Sequence, residues 1–155
     1  MRKAVFIYSG ELERYRYPPE HPFNTIRAKK TREIVNSMGL LSGEGKSEAP
    51  PEAAERIVLK KFHSARYLHT LKAASEGKFN AEAFGMGIGT LDCPVFEGLY
   101  EYAVLATGGT VVAAKLIISG DANVAFNPSG GFITQGQNVH QGFAISMMRP
   151  LPASF

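Results

Sequence analysis

The chain has 155 residues, of which 45% are hydrophobic and 20% are charged, and its formal net charge is +3. This composition is that of one ordinary globular domain, and the scattered Lys and Arg residues form no basic stripe of the kind that binds nucleic acid. The one cysteine, Cys93, excludes an internal disulfide and a cysteine-rich metal site.

The start of the chain carries no recognisable export or membrane signal. Its apolar run, Ala4–Tyr8, is shorter than the ~7–15 residues of a signal core and shorter than the about 20 residues of a membrane span. We therefore expect a cytoplasmic protein whose partners include neither a nucleic acid nor a membrane.

The first quarter of the chain predicts a strand, a loop and a helix. The run Lys3–Ser9 is apolar, β-branched and aromatic, which is typical of a buried strand. Residues 10–24 are rich in Tyr, Pro and Glu and predict a loop. Thr25 is a candidate cap for a helix that reaches Met38 and ends at Gly39. The apolar residues available for its buried face are Ile26, Ala28, Ile34, Val35 and Met38.

The next elements are short. The Gly-, Ser- and Pro-rich residues 42–51 predict a loop, and residues 52–60 predict a short helix that ends near a strand-like stretch, 58–62. Ser64 is a candidate N-cap for a helix that runs to Ser75. The residues expected to face inward from this helix are Tyr67, Leu68 and Leu71.

The following part predicts one long helix and one strand. After a glycine-rich loop at residues 76–89, Pro94 opens a helix to Ser119 whose apolar residues follow a 3.6-residue period. The pair Gly108-Gly109 weakens the helix propensity there and predicts close packing against another element. Residues 123–127 predict a strand. Strands separated by helices indicate an α/β fold with a parallel sheet.

Two patterns that could suggest a site are weak. The pattern Gly85-x-Gly87-x-Gly89 follows no strand and lacks the Lys-Ser/Thr of a phosphate loop, so a flexible loop is the better interpretation. The histidines lack metal-ligand spacing, since His63 and His69 are six residues apart whereas zinc-binding helices place ligands at i and i+4. The four histidines are His21, His63, His69 and His140.

Three motifs occur in order along the chain. Glu20–Asn24 reads EHPFN, Leu91–Phe96 reads LDCPVF and Asn127–Gly131 reads NPSGG. Together they resemble the zinc-dependent histone deacetylase family, in particular its bacterial and archaeal acetoin-utilisation branch. The stretch Phe62–Leu68 is similar to the family's Val-His-Ser-Pro-Glu-Tyr-Ile segment. The resemblance covers residues 1–131 and implies a partial three-layer arginase/deacetylase-like α/β fold with a parallel sheet.

The resemblance also implies a vestigial substrate-binding site of three residues. Asp92 matches an aspartate on a rim loop that accepts hydrogen bonds from the substrate backbone, Arg27 matches an arginine that lines an internal channel, and Gly131 ends the Gly-Gly pair. Considered alone, Asp92 would usually be a cap or turn residue and Arg27 a solvated helix arginine. The sequence is compatible with both interpretations of Asp92 and of Arg27.

The catalytic residues that the resemblance implies are missing. In the family, zinc polarises the acetyl carbonyl and activates water, a histidine takes the proton and a tyrosine stabilises the oxyanion. Two catalytic histidines follow the Gly-Gly pair and one apolar residue, whereas here Ile133 and Thr134 stand in their place. The family's zinc ligands and tyrosine belong to a second half that this chain lacks. We therefore expect no catalytic residue, no metal ligand and no bound zinc or other cofactor.

A shift of reading frame accounts for the missing pair. When each codon is built from the third base of one residue's codon and the first two bases of the next, Phe132–Ile133 and Ile133–Thr134 can both encode histidine. Permitted codons then continue as His-His-Ala-Arg-Ala-Lys-Arg-Ala-Ser-Gly-Phe-Cys-Tyr-Ile-Asn-Asp, which is close to the family's own sequence. We infer a single-base loss near the codons for Ser129–Gly131, which makes residues 1–131 the N-terminal portion of a deacetylase-like domain and residues 132–155 an out-of-frame tail.

Three functions are compatible with this interpretation. The first is a truncated and catalytically inactive fragment of an amide hydrolase. The second is a zinc-dependent deacetylase that is active only with a separate C-terminal half, and the third is a non-catalytic module that binds acylated amines through Asp92. Half of a parallel sheet would leave an edge strand unpaired, so we expect self-association through that edge.

Overall fold

A four-stranded sheet forms the centre of the protein. The computed structural model describes residues 2–130 and the backbone of residues 146–148. The strands lie in the order β2-β1-β3-β4. Strand β1 pairs in parallel with both β2 and β3, and β3 pairs antiparallel with β4. The strand bounds are β1 Ala4–Ile7, β2 Lys46–Ala49, β3 Val124–Asn127 and β4 Ser146–Met148.

Helices connect the strands, as expected for an α/β fold. A 3-10 helix, Gly10–Arg14, follows β1 directly. The α-helices are α1 Ile26–Ser37, α2 Arg56–Leu59, α3 Ala65–Ser75, α4 Ala81–Gly85 and α5 Leu99–Ile118. Four strands and helices lie within two residues of their predicted bounds: β1, α1, α3 and β3.

One apolar cluster joins α5 to the sheet. Side chains from β1 and β3 that point to one face, Val5, Ile7 and Ala125, pack against Ala113 of α5. Phe6 and Phe126 alternate with them and meet on the opposite face, with ring centroids 5.4 Å apart. Val5, Phe6 and Ile7 are all buried although successive side chains point to opposite faces, so both faces of β1 are covered, whereas burial alternates along β3.

The glycine pair in α5 confirms the prediction of close packing. A Cβ on Gly108 would lie 1.5 Å from the carbonyl oxygen of Glu52, and a Cβ on Gly109 would lie 2.8 Å from the side-chain nitrogen of Asn127. The helix therefore approaches another backbone on one side and a buried amide on the other. Only a residue without a Cβ permits both approaches.

Of the two predicted helix caps, one is confirmed and one is wrong. Ser64 caps α3 as predicted, because its Oγ accepts a hydrogen bond from the Tyr67 amide at 3.1 Å. Thr25 makes no such bond at the start of α1, since its hydroxyl donates to the Tyr15 carbonyl at 2.8 Å. The Asn24 side chain accepts from the Ile26 amide instead, at 3.0 Å.

Strand β2 was predicted as a loop, and that prediction is wrong. The sequence of Lys46–Ala49, KSEA, shows no apolar alternation, and three of these four residues are exposed in the structure. Backbone pairing with β1 makes it a strand, as in the bonds from the Ala4 amide to the Gly45 carbonyl at 2.7 Å and from the Tyr8 amide to the Ala49 carbonyl at 3.0 Å. Hydrophobic patterning cannot reveal a strand that buries no side-chain face.

Three further predictions are corrected. The strand-like stretch 58–62 is the end of α2 and the turn that follows it. The glycine-rich loop 76–89 contains α4, whose first turn Asn80 caps through a bond from the Ala83 amide at 2.9 Å. Helix α5 begins at Leu99 rather than Pro94, because Gly98 has a positive φ of 75° and breaks the helical path.

The buried face predicted for α1 is also mostly wrong. Only Ala28 is buried along this helix, whereas Ile34 and Met38 are 60% and 66% exposed. The C-terminal half of α1 therefore exposes apolar side chains next to polar ones, Glu33, Asn36 and Ser37.

By length and composition alone, α5 could cross a membrane, and among the described residues it is the one helix that meets both criteria. Core helices of globular proteins meet them as well, and α5 packs against the sheet through Ala113. The prediction that no membrane is a partner stays a prediction.

Candidate functional site

The carboxyl ends of the parallel strands define one edge of the sheet, where α/β proteins place their sites. Ile7 ends β1 and leads into the loop 8–25, and Asn127 ends β3 and leads into Pro128–Gly130. The first connection contacts the start of α5, where Tyr15 packs on Tyr102, and the second contacts its middle, where Gly130 lies against Thr110. The motifs of the first and last thirds of the chain therefore come together along this helix.

An aromatic cluster joins the loop after β1 to α5. We define it as Tyr15, Tyr17, Phe23, Phe96 and Tyr102. The ring of Tyr17 lies 4.8 Å from Phe23 and 4.6 Å from Phe96 between centroids, and Tyr15 lies 5.6 Å from Tyr102. Tyr102 is 1% exposed and lies one turn before Ala106 on α5. The cluster therefore fixes the loop 8–25 against the first turns of that helix.

The end of β3 is tied to the same helix one turn later. Asn127 is 2% exposed, and its Nδ2 donates to the Ala106 carbonyl and to the Thr110 hydroxyl, each at 3.1 Å. Its Oδ1 accepts from the Ser129 amide at 3.2 Å. A Cβ on Gly130 would lie 2.8 Å from the Thr110 hydroxyl, so this glycine permits the turn to lie flat against α5.

The loop that carries Asp92 lies beside the aromatic cluster. Asp92 and Leu91 are exposed, and Leu91 is 91% exposed. The turn is closed by the Cys93 amide, which donates to the Thr90 carbonyl at 3.2 Å, and by the Gly89 amide, which donates to the Cys93 carbonyl at 2.8 Å. An exposed carboxylate on a closed turn is able to accept hydrogen bonds from a bound molecule.

Arg27 lies in the first turn of α1 and is exposed. Its guanidinium carbon lies 6.0 Å from the centroid of Phe23, at the outer limit of a cation–π contact. Arg27 and the Asp92 loop therefore both lie against the segment 21–23, which brings these two predicted site residues to one region. Gly131, Ile133 and Thr134 lie outside the described residues, and their predicted roles stay predictions.

Burial favours the neutral forms of the Cys93 thiol and of two tyrosines around it, Tyr17 and Tyr67. Burial, followed by the charge of Asp92, raises the pKa of the Cys93 thiol. Burial, followed by Cys93, raises the pKa of both Tyr17 and Tyr67. A thiol with a raised pKa is a poor nucleophile at neutral pH, so Cys93 supplies no activated sulfur to this region.

A cluster of polar and charged side chains lies just after β1. The Tyr8 hydroxyl donates to the Glu13 carboxylate, which also pairs with Lys29 at 3.2 Å. The Arg32 guanidinium lies 5.0 Å from the centroid of Tyr8 and bonds Glu48 of β2 at 2.9 Å. Burial, followed by the bond to Glu13, raises the pKa of Tyr8 to about 12, and the bond from Tyr8 lowers the pKa of Glu13.

Residues 2–130 do not supply a zinc site. Among them no group of three or more His, Cys, Asp or Glu side chains is placed to hold a metal ion. The donor set that zinc requires is therefore not found in this part of the chain. The prediction that the whole chain binds no zinc stays a prediction.

Sequence reasoning missed two residues of this region. His21 was noted only within the EHPFN motif and among the histidines without metal-ligand spacing, yet its ring bonds the loop of Asp92, with Nε2 3.0 Å from the Leu91 carbonyl oxygen. Asn127 was noted only as part of NPSGG, yet its side chain joins β3 to α5. Both contacts link segments far apart in sequence, and only their position inside the three motifs signalled them.

Known proteins are similar to this chain in sequence. The sequence model of the histone deacetylase domain matches residues 21–146. The acetoin utilization protein AcuC of Bacillus subtilis is 38% identical over 144 residues, which cover 92% of this chain and 35% of that protein. Histone deacetylase 1 of Homo sapiens is 30% identical over 148 residues, which cover 92% of this chain and 30% of that protein.

The fold has a solved relative as well. The crystal structure of an HDAC homolog from Aquifex aeolicus superposes with a TM-score of 0.73 at 27% identity, covering 92% of this chain and 38% of that chain. This confirms the predicted α/β fold class, a partial arginase/deacetylase-like fold with a parallel sheet. The chain spans about a third of the length of the curated relatives it matches. Because the family match extends over most of its residues, the chain belongs to the histone deacetylase domain family.

Proposed function

We propose that this chain is the N-terminal portion of a zinc-dependent deacetylase of the acetoin-utilisation type and is catalytically inactive as it stands. One observation carries the proposal: the Gly-Gly pair at the end of β3 is followed by Phe132, Ile133 and Thr134, where the family resemblance implies two histidines. Isoleucine has no titratable group, and a threonine hydroxyl is no base near neutral pH. Amide hydrolysis then lacks the group that takes the proton from water.

A frameshift is our explanation for the substitution. Methionine has one codon, ATG, so the shifted codon across Met147 and Met148 is GAT whatever the rest of the gene reads. GAT encodes aspartate, the residue with which the family-like string ends. This position therefore agrees with the family without any free choice of base.

The competing explanation is a tail that is translated in its native frame. The family match continues past Gly131 to Ser146, inside the stretch we interpret as out of frame. Sequencing the gene from the codon for Asn127 to beyond that for Phe155 separates the two. A shifted frame that reads His-His-Ala and continues as a deacetylase supports the frameshift, and a closed or unrelated frame refutes it.

The test of inactivity is a deacetylase assay on the purified full chain. With an acetyl-lysine peptide as substrate, we expect release of acetate at the rate of the protein-free control, both with and without added Zn²⁺. Turnover above that control would contradict the proposal. A known deacetylase assayed in parallel shows that the peptide and the conditions permit the reaction.

Two other functions make different predictions. A deacetylase restored by a separate C-terminal half would show turnover only when the two parts are mixed. A binding module would show saturable binding of the acetyl-lysine peptide without turnover, and Asp92→Asn would weaken it because an amide accepts hydrogen bonds less strongly than a carboxylate. The exposed position of Asp92 is compatible with both functions, because each would use its carboxylate to hold the peptide backbone.

We also propose that the chain self-associates through the β3 edge of its sheet. The β2 edge carries exposed charged residues, Lys46 and Glu48, which oppose pairing with another strand. The β3 edge is covered by β4, a strand of three residues. A cover this short can give way to a strand from a second copy.

A further inference from the structure

The ring of His21 bridges two loops that are 70 residues apart in sequence. Its Nε2 lies 3.0 Å from the carbonyl oxygen of Leu91, and its Nδ1 accepts from the Phe23 amide at 3.1 Å. A carbonyl oxygen can only accept, so Nε2 must carry the proton and Nδ1 is then free to accept. One neutral tautomer therefore satisfies both bonds.

The alternative tautomer fits less well. A proton on Nδ1 could be donated to the Phe23 carbonyl oxygen, which lies 3.4 Å away. That arrangement would lose both shorter bonds, since Nδ1 could no longer accept from the amide and Nε2 could no longer donate to Leu91. The contacts therefore define the protonation site of the ring.

The plane of the ring is fixed by packing as well as by hydrogen bonds. The Tyr17 ring lies 4.9 Å from the His21 ring at an interplanar angle of 36°. Tyr17 is itself held between Phe23 and Phe96. His21 thus extends from the aromatic cluster to the exposed tip of the neighbouring loop.

The bonded carbonyl belongs to the peptide that leads directly into Asp92. Leu91 and Asp92 are both exposed, so side-chain packing does little to hold this tip. The bonds that close the turn, from Cys93 to Thr90 and from Gly89 to Cys93, fix its shape but not its direction relative to the segment 21–23. The His21 bond supplies that direction.

We propose that His21 is a positioning residue that orients the Leu91–Asp92 peptide and so presents the Asp92 carboxylate to the backbone of a bound acylated peptide. This inference rests on the proposed function, because Asp92 takes its binding role from there. A carboxylate that is already oriented loses less conformational freedom when it binds its ligand. We call His21 a positioning residue because its ring bonds the Leu91 carbonyl and not the carboxylate itself.

The test compares two variants of the full chain by amide hydrogen exchange and ¹⁵N relaxation. His21→Phe keeps a ring against Tyr17 but has no donor for Leu91, whereas His21→Gln retains an N–H donor. With His21→Phe we expect the Asp92 backbone to gain fast motion, whereas the Cys93 amide, which bonds Thr90 inside the turn, keeps its protection. We expect His21→Gln to restrict most of that motion again, and the Ala125 amide in β3 to stay unchanged in both variants.

Two results would overturn the inference. One is an Asp92 backbone as rigid in His21→Phe as in the unmodified chain, and the other is faster exchange of Cys93 and Ala125 together, which indicates a general loss of stability. Should His21→Phe fail to fold, the unmodified chain still decides: long-range ¹H–¹⁵N spectra of the His21 ring must show a proton on Nε2, and a ring protonated on Nδ1 alone refutes the bridge.

These readouts involve no turnover and no ligand. If the chain proves to be an active deacetylase, the proposed inactivity fails while the orientation of the Asp92 loop by His21 can still hold. Conversely, a mobile loop in the unmodified chain refutes the positioning role and leaves the inactivity untouched.

Discussion

Asn127 donates from its side-chain amide to the main-chain carbonyl of Ala106 at 3.1 Å, which joins the last residue of β3 to the middle of α5. Carbonyls inside a helix normally bond only the amide four residues later. Here the additional bond reaches out to a neighbouring strand, and Asn127 bonds Thr110 on the next turn as well. The residue thereby sets where the chain leaves the sheet toward the Gly-Gly pair.

Replacement of Asn127 by Asp should destabilise the protein strongly. The carboxylate is almost the same size but cannot donate, so it would face the Ala106 carbonyl while 2% exposed. We expect a loss of about 2–4 kcal/mol in the free energy of unfolding, measured by urea denaturation at neutral pH.

Asn123→Asp is the matched control for this change. Asn123 is exposed, and its side-chain oxygen accepts a hydrogen bond from the Lys3 amide at 2.8 Å. An aspartate carboxylate can accept the same bond. We expect it to change stability by less than about 0.5 kcal/mol. Equal losses in both variants would mean that Asn127 contributes through its backbone position rather than its donor.

Gly108→Ala should be destabilising although alanine is the better helix former. The added Cβ would lie 1.5 Å from the Glu52 carbonyl oxygen, and backbone cannot rotate away as a side chain can. We expect a loss of about 3 kcal/mol or more, against a gain in helix propensity of at most about 1 kcal/mol. The measurement is the shift of the thermal midpoint and of the urea midpoint.

Gly85→Ala provides the comparison in open space. Gly85 ends α4, and nothing lies within 4 Å of the position a Cβ would take. Its replacement should be neutral or slightly stabilising, because only the propensity term changes. A Gly108→Ala variant as stable as Gly85→Ala would show that α5 can shift away from residues 52–54.

These glycines show which parts of the fold could be predicted from sequence. Gly108-Gly109 is a local contradiction, a poor helix former inside a helical pattern, and a contradiction of that kind predicts a tertiary cause. Strand β2 offered no such signal, because Lys46–Ala49 is exposed and is a strand only through its backbone bonds to β1. The buried face predicted for α1 was wrong, because Ile34 and Met38 follow the helical period but are not covered by another element.

The site was predictable to a different extent. Asp92 and Arg27 could be proposed because their motifs carry the family resemblance, and the fold brings both to the segment 21–23. The bridge by His21 was not predictable, because a hydrogen bond from a ring nitrogen to a main-chain carbonyl leaves no pattern in the sequence of either partner.

The bond between Tyr8 and Glu13 should stabilise the folded protein at neutral pH and lose this effect in acid. That bond holds the pKa of Glu13 below its ordinary value of 4.5. A carboxyl group with a lowered folded-state pKa contributes stability above its unfolded pKa and loses it as the pH falls through the folded pKa. We therefore expect Tyr8→Phe to lose stability relative to the unmodified chain at pH 7 and to lose progressively less of it below pH 4.5.

The measurement is urea denaturation at several pH values, together with an NMR titration of the Glu13 carboxyl carbon. Tyr8→Phe should move the pKa of Glu13 up toward its ordinary value. Tyr100→Phe, which removes a hydroxyl from a ring near Lys72 instead, should leave the Glu13 titration unchanged. A Glu13 titration that is the same in all three proteins would refute the role of the Tyr8 hydroxyl.

Removal of β4 should promote self-association. In a variant that lacks residues 146–155, the backbone groups of β3 that pair with Ser146–Met148 would be exposed. Unpaired strand edges recruit strands from other molecules, and β3 is apolar in three of its four residues, Val124, Ala125 and Phe126. We expect this variant to form dimers or larger species in a concentration-dependent manner in sedimentation experiments.

A variant that lacks only residues 149–155 retains β4 and separates the edge from the rest of the tail. It should associate no more than the full chain, because the β3 edge stays paired. If both variants sediment as monomers over the same concentrations, the β3 edge is not the associating surface, and the proposal of self-association through it is wrong. If both variants associate equally and more than the full chain does, the residues after Met148 prevent association instead, and β4 has no protective role.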